Sequence, residues 1–135
     1  MKRVFILASL VMLSSCSTIK ASDPFLDEQL VGDWVGEREN VVGCDYYSWA
    51  TKRNSDGTYQ ITFYEDSNRT VDVHSESGRW WVKESVFYNK SESVMKEPDA
   101  YDYKVISSEI VEFNQISADQ SVDCMGDYSF KDIRR

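Results

Sequence analysis

Residues 58–65 alternate without a break: Tyr59, Ile61 and Phe63 fall on one side, and Thr58, Gln60, Thr62 and Tyr64 on the other. A period of two is what a strand with one buried face requires, and it is incompatible with an amphipathic helix over the same residues. Ser55-Asp56-Gly57 precedes this run and follows another over residues 46–53, so the two are predicted to pair as a hairpin through a Gly-containing turn. In the next strand Val71 and Val73 alternate with Asp72 and His74, which puts His74 on the solvent face. Gly78 then punctuates the passage to a further strand over residues 79–88.

The pattern resumes after residues 89–99, which are polar, include Pro98 and have no apolar period, so they are predicted to form a long exposed loop. Tyr101, Tyr103 and Val105 share one strand face, and Val111 and Phe113 share a face of the next. In the last run Val122, Cys124, Gly126, Tyr128 and Phe130 have one parity, which turns Cys124 to the core. About eight short strands without long helices predict an all-β, antiparallel up-and-down arrangement. Closing the sheet into a small barrel removes the two edges that an open meander would leave unpaired. A two-sheet β-sandwich is the alternative. Ahead of the strands, Asp23 as N-cap, Pro24 in the first turn and Gly32 as terminator predict a short N-terminal helix carrying Phe25, Leu26 and Leu30.

The start of the chain has a different character. Lys2 and Arg3 precede about ten apolar residues and then Leu13-Ser14-Ser15-Cys16. The apolar run is far shorter than the roughly 20 residues that span a bilayer as a helix. The last four residues resemble the lipobox of bacterial lipoproteins. That resemblance implies a signal peptide over 1–15, lipidation of Cys16 as the first mature residue, a tether over 16–22 and a folded domain over 23–135. Acyl chains contribute about 0.8 kcal/mol per buried methylene, so several of them make a stable membrane anchor. Ser17, where inner-membrane lipoproteins often carry Asp, implies the outer membrane, with the domain facing the periplasm.

Loss of Lys2 and Arg3 would take the formal charge from −8 to about −10. An acidic chain of this size is not expected to bind nucleic acid, nor to be held on anionic lipid by charge. With Cys16 lipidated, Cys44 and Cys124 remain, an even pair suited to an oxidising compartment and a single disulfide. The closed loop of about 80 residues would stabilise the fold by on the order of 4 kcal/mol in the chain-entropy account. No metal or cofactor is expected, because His74 is the only histidine and nothing supplies a second nitrogen ligand.

Residues 25–34 resemble the opening of lipocalins and the wider calycin group, where a short helix leads into Gly-x-Trp at the start of the first strand. Gly32-Asp33-Trp34 fills that motif. Asp56-Gly57-Thr58-Tyr59 and Gly78-Arg79-Trp80-Trp81-Val82 are similar to a pattern that recurs in bacterial lipocalin-like domains. The resemblance implies a barrel in which Trp34 plugs the closed end beneath a basic side chain, Lys131 or Arg134. It further implies non-catalytic binding of a small apolar or amphipathic ligand. Arg38, Tyr59, Phe63, Trp81, Tyr101, Tyr103, Val111, Phe113 and Tyr128 are the candidates to line the interior, with Arg38, in phase with Trp34, as an orienting group. A solidly packed interior is the alternative.

An enzyme is not expected: there is no Gly-x-Ser-x-Gly turn, no glycine loop for phosphate and no second histidine. The other functional reading is a protein-interaction module of the cell envelope, an inhibitor or accessory lipoprotein. It would use residues 89–99 or the cluster Tyr46, Tyr47 and Trp49. An enclosed void of a few hundred Å³ would favour ligand carriage over a protein partner.

Overall fold

The computed structural model describes residues 22–38, 43–119 and 129–135. Eight strands follow one another: β1 (Gly32–Arg38), β2 (Tyr47–Arg53), β3 (Thr58–Tyr64), β4 (Asp72–Lys83), β5 (Val86–Ser91), β6 (Asp99–Ser107), β7 (Ile110–Ser117) and β8 (Ser129–Arg134). Each pairs antiparallel with the next, and β8 returns to pair with β1, so the sheet is a closed up-and-down barrel. The expected fold class is the one observed, and the sandwich is excluded by the β1–β8 ladder.

Local chemistry sets the turns. After β2, Gly57 takes a positive φ of 83°, and the Asp56 carboxylate accepts the Thr58 amide at 2.9 Å. After β3, the Asp66 carboxylate gathers the amides of Thr70 and Val71, both at 2.9 Å, and leads the chain into β4. β4 and β5 are joined by Glu84 and Ser85, both at positive φ, the twist that a two-residue hairpin needs.

Four expectations are corrected. The N-terminal helix is a single 3-10 turn, Glu28–Leu30, capped by Asp27 rather than Asp23. Phe25 is drawn into the sheet instead, exchanging 2.8 Å backbone hydrogen bonds with Val82 in both directions. Gly78 does not end a strand. β4 runs through it because β5 passes so close that a Cβ there would collide with the Lys90 carbonyl. Residues 89–91 belong to β5 and residue 99 to β6, so the loop between them is 92–98. The expected strand over 79–88 is in fact split between β4 and β5 by the hairpin at Glu84-Ser85, which contains neither Gly nor Asn and so gave no sign of a turn.

The dry core lies at one end of the barrel. Leu30, Trp34, Trp80, Val82, Val111 and Phe113 are each at most 1 % exposed. The opposite end, where β1 finishes and β2, β4 and β6 begin, is hollow.

Candidate functional site

At the closed end Gly32 opens β1 at φ 130°, and Trp34 follows, fully buried, its indole N–H donating to the Leu30 carbonyl at 2.9 Å. The Arg134 guanidinium carbon lies 4.1 Å from the centre of the Trp34 ring. Arg134 donates to the carbonyls of Ser108, Val31 and Gln29 at 2.7, 2.8 and 2.9 Å. Of the two basic candidates Arg134 is therefore the cation over Trp34. Lys131 is exposed and faces Glu112 at 3.7 Å. Gly32 leaves room for the arrangement, since a Cβ at that position would strike the Arg134 guanidinium.

Above this plug lies a charged layer. Arg53 and Asp132, 6 % and 0 % exposed, form an ion pair. The other Asp132 oxygen accepts the Trp49 indole N–H at 2.9 Å. The Arg53 guanidinium sits over the rings of Phe87 and Phe113, 5.2 Å from each centre, and 5.8 Å from that of Trp34. Its Nη1 has no hydrogen-bond partner and rests against these aromatic faces. The charge of Arg53 is thus met by Asp132 and by π density.

A cavity of about 350 Å³ occupies the barrel above that layer. Arg53, Phe87, Tyr101 and Phe130 belong both to its lining and to the packed interior beneath. The walls are Trp49, Thr51, Tyr59, Ile61, Phe63, Glu76, Asn89 and Asp99. Arg38, Tyr47, Val73 and His74 stand towards the mouth, with Val94 and Met95 of the 92–98 loop. That loop is pinned from below. The Asp119 carboxylate accepts the amides of Lys96 and Glu97 at 3.0 and 2.7 Å, and the Ser91 amide reaches the Met95 sulfur at 3.2 Å.

The polar groups of the cavity divide by sign. Arg38 is buried, donates from Nε to the Asp45 carbonyl at 2.8 Å and lies 5.2 Å from the centre of the Tyr47 ring. Glu76 accepts the Tyr59 hydroxyl at 3.3 Å and faces His74 Nε2 at 3.4 Å. Asp99 accepts the Asp119 amide at 2.7 Å and the Tyr101 hydroxyl at 3.4 Å. Burial drives its carboxyl up to about 6, helped by the charges of Asp119 and Glu76 and opposed by those two hydrogen bonds. Burial and the Glu76 charge together push the Tyr59 phenol well above its ordinary range.

The candidate lining residues divide accordingly. Arg38, Tyr59, Phe63 and Tyr101 meet at the cavity. Phe113 and Val111 lie in the closed core, and Tyr103 donates its hydroxyl to Asp27 at 2.8 Å, fastening the 3-10 turn to β6. Trp81 is corrected to the outer surface, where it stacks on Tyr88 with ring centres 5.5 Å apart and planes 8° from parallel. Its neighbour Trp80 points inward, as parity with Gly78 and Val82 requires. His74 is exposed, as expected, with its side chain 48 % accessible, although it pairs with Phe63 across β3 and β4, stacks on that ring at 6.5 Å and stands at the cavity mouth. The correction falls on Val71 and Val73, which are exposed as well and form no buried face. Trp49 is buried and Tyr47 lines the cavity, so the cluster Tyr46, Tyr47 and Trp49 is not a free docking surface. Tyr128, Cys16 and Cys124 lie outside the described residues, as does the 1–15 segment. Cys44 is half-buried ahead of β2 and is not a free thiol.

Sequence reasoning gave Trp49 to a surface cluster and did not single out Arg53, Glu76, Phe87 or Asp99. Parity was available for Trp49 and Arg53, which are in phase with each other in the 46–53 run. No local pattern singles out Glu76 or Asp99. Among the described residues no group of three His, Cys, Asp or Glu could hold a metal ion. No family model, curated protein or solved structure matches the chain.

Proposed function

We propose that this chain is a lipid-anchored, lipocalin-like binding protein of the cell envelope, whose barrel takes up one small apolar or amphipathic molecule without transforming it. The observation that carries the reading is the cavity itself, about 350 Å³, walled by Trp49, Tyr59, Phe63 and Tyr101 and closed beneath by Trp34. Ligand sites are concave, mostly apolar volumes of roughly 300–1,000 Å³ with a few placed polar groups, and this one is at the lower end of that range. A packed interior would have left no such space. The anchor is inferred from the lipobox-like Leu13-Ser14-Ser15-Cys16, with the outer membrane, periplasmic face, as its site. A Cys44–Cys124 disulfide belongs to the same reading, supported by the bonded state of Cys44. The non-catalytic assignment rests on the cavity's chemistry: its one histidine stacks on Phe63 and faces a carboxylate, and among the described residues no hydroxyl or thiol nucleophile is hydrogen-bonded to it.

The test is native mass spectrometry of the chain from residue 16 onward, carrying Cys16→Ser, after incubation with an envelope extract. Retention of a small molecule that is lost when Tyr59→Trp fills the cavity is the expected result. A ligand-free barrel that instead captures a stoichiometric protein partner would overturn the reading in favour of an interaction module.

A further inference from the structure

The cavity has two cationic and two anionic side chains in its walls, but they are not equally available to a ligand. Arg53 is neutralised by Asp132 and pressed against three aromatic rings. Arg38 turns to the Asp45 carbonyl and the face of Tyr47 at the mouth. Glu76 and Asp99 line the same cavity from β4 and β6, on either side of β5, near enough for the charge of Glu76 to act on Asp99. Among the described residues neither carboxylate is paired with a lysine or arginine. Glu76 has the Tyr59 hydroxyl and an exposed imidazole, and Asp99 an amide and the Tyr101 hydroxyl. Two carboxylates held out of water without a countercharge raise the energy of the empty cavity. The aromatic walls present π faces to the same space.

We propose that the cavity is selective for organic cations: an ammonium head between Glu76 and Asp99, with its apolar body against Trp49, Phe63 and Phe87. The proposal rests on the reading of the cavity as a ligand site and specifies the chemistry that site selects. An ammonium gains from both carboxylates and from the surrounding rings, whereas a carboxylate or sulfate in the same place is repelled by both. The chain's formal charge of −8 draws cations toward the mouth and disfavours anions in the encounter step. Glu76, with its side chain 11 % exposed, can receive the head as it enters, and Asp99, 6 % exposed, holds it deeper.

The experiment compares decyltrimethylammonium, decanoate and decanol, three probes sharing a body and differing in head charge, by calorimetry and by tryptophan fluorescence on the Cys16→Ser chain. The cation is expected to bind at least about tenfold more tightly than the anion, with the alcohol between. Glu76→Gln and Asp99→Asn should each weaken the cation about five- to tenfold and change decanol far less, while an unchanged far-ultraviolet circular dichroism spectrum reports that the barrel is intact. Cation affinity should rise between about pH 5 and pH 7.5 as Asp99 ionises, and this rise should vanish in Asp99→Asn. Equal binding of all three probes, or a cation preference that survives the double variant, would overturn the selectivity and leave the ligand site standing. Binding of none would overturn the ligand site and the selectivity together.

Discussion

Arg134 clamps Trp34: its guanidinium lies 4.1 Å from the indole centre while its three nitrogens donate to carbonyls of the 3-10 segment and of the turn between β6 and β7. One side chain thus joins the first strand, the last strand and the segment ahead of the barrel. Arg134→Ala is expected to lower the unfolding free energy by about 2 kcal/mol, from the lost cation–π contact and hydrogen bonds. Arg134→Lys should recover only part of this, because an ammonium cannot reproduce the planar fork. Urea titration of both variants checks the order.

Both members of the Arg53–Asp132 pair are buried, so its halves are interdependent. Asp132→Ala leaves a buried guanidinium without its counterion and the Trp49 N–H without an acceptor, and should cost about 3–5 kcal/mol. Arg53→Met combined with Asp132→Leu should cost distinctly less than the two single changes added together. A double-mutant cycle in urea measures the coupling.

Asp99 makes stability depend on pH in the direction opposite to an ordinary paired carboxylate. Burial raises its folded value to about 6, above the unfolded value, so the folded state holds the extra proton between the two. Stability from this group is therefore complete at low pH and declines as pH rises through about 6. The urea midpoint should be higher near pH 5 than near pH 7.5, and Asp99→Asn should flatten that difference. A midpoint that climbs across the same interval in the parent chain would refute the assignment.

Gly78→Ala should be among the most damaging single-methyl additions in the chain, although its backbone is of an ordinary extended kind. The new Cβ meets the Lys90 carbonyl, which is held in the β4–β5 ladder and has nowhere to move. A loss of about 3 kcal/mol or more is expected, against about 1 kcal/mol for Gly43→Ala, where only a positive φ of 84° resists the change and open space surrounds the residue. Thermal melts of the two variants give the comparison.

The barrel was readable because most of its strands carry period two over enough residues to override other patterns, as 58–65 shows. The plug was readable from Gly32-Asp33-Trp34, with only the choice between Lys131 and Arg134 left to three dimensions. The hollow end was legible in part. Trp80 and Trp81 are alike in hydropathy, and only the register of β4 tells which one faces inward. Val71 and Val73 were misplaced because alternation marks the inner face only where the strand has a packed interior beneath it. At the mouth both faces of β4 meet water, and His74 and the two valines are all exposed. Glu76 and Asp99 come from non-adjacent strands and share a wall only because β5 sets them on either side of itself.

The seam between β1 and β8 joins Trp34 to Arg134, residues about a hundred positions apart along the chain. Contacts of such separation form only after the intervening segments have given up most of their freedom, so hairpins assemble first and this join comes late. An interaction made after the folding barrier leaves its mark on the escape rate. The indole and guanidinium therefore act as a latch: they govern how long a finished molecule endures, and have little say in how quickly one is made.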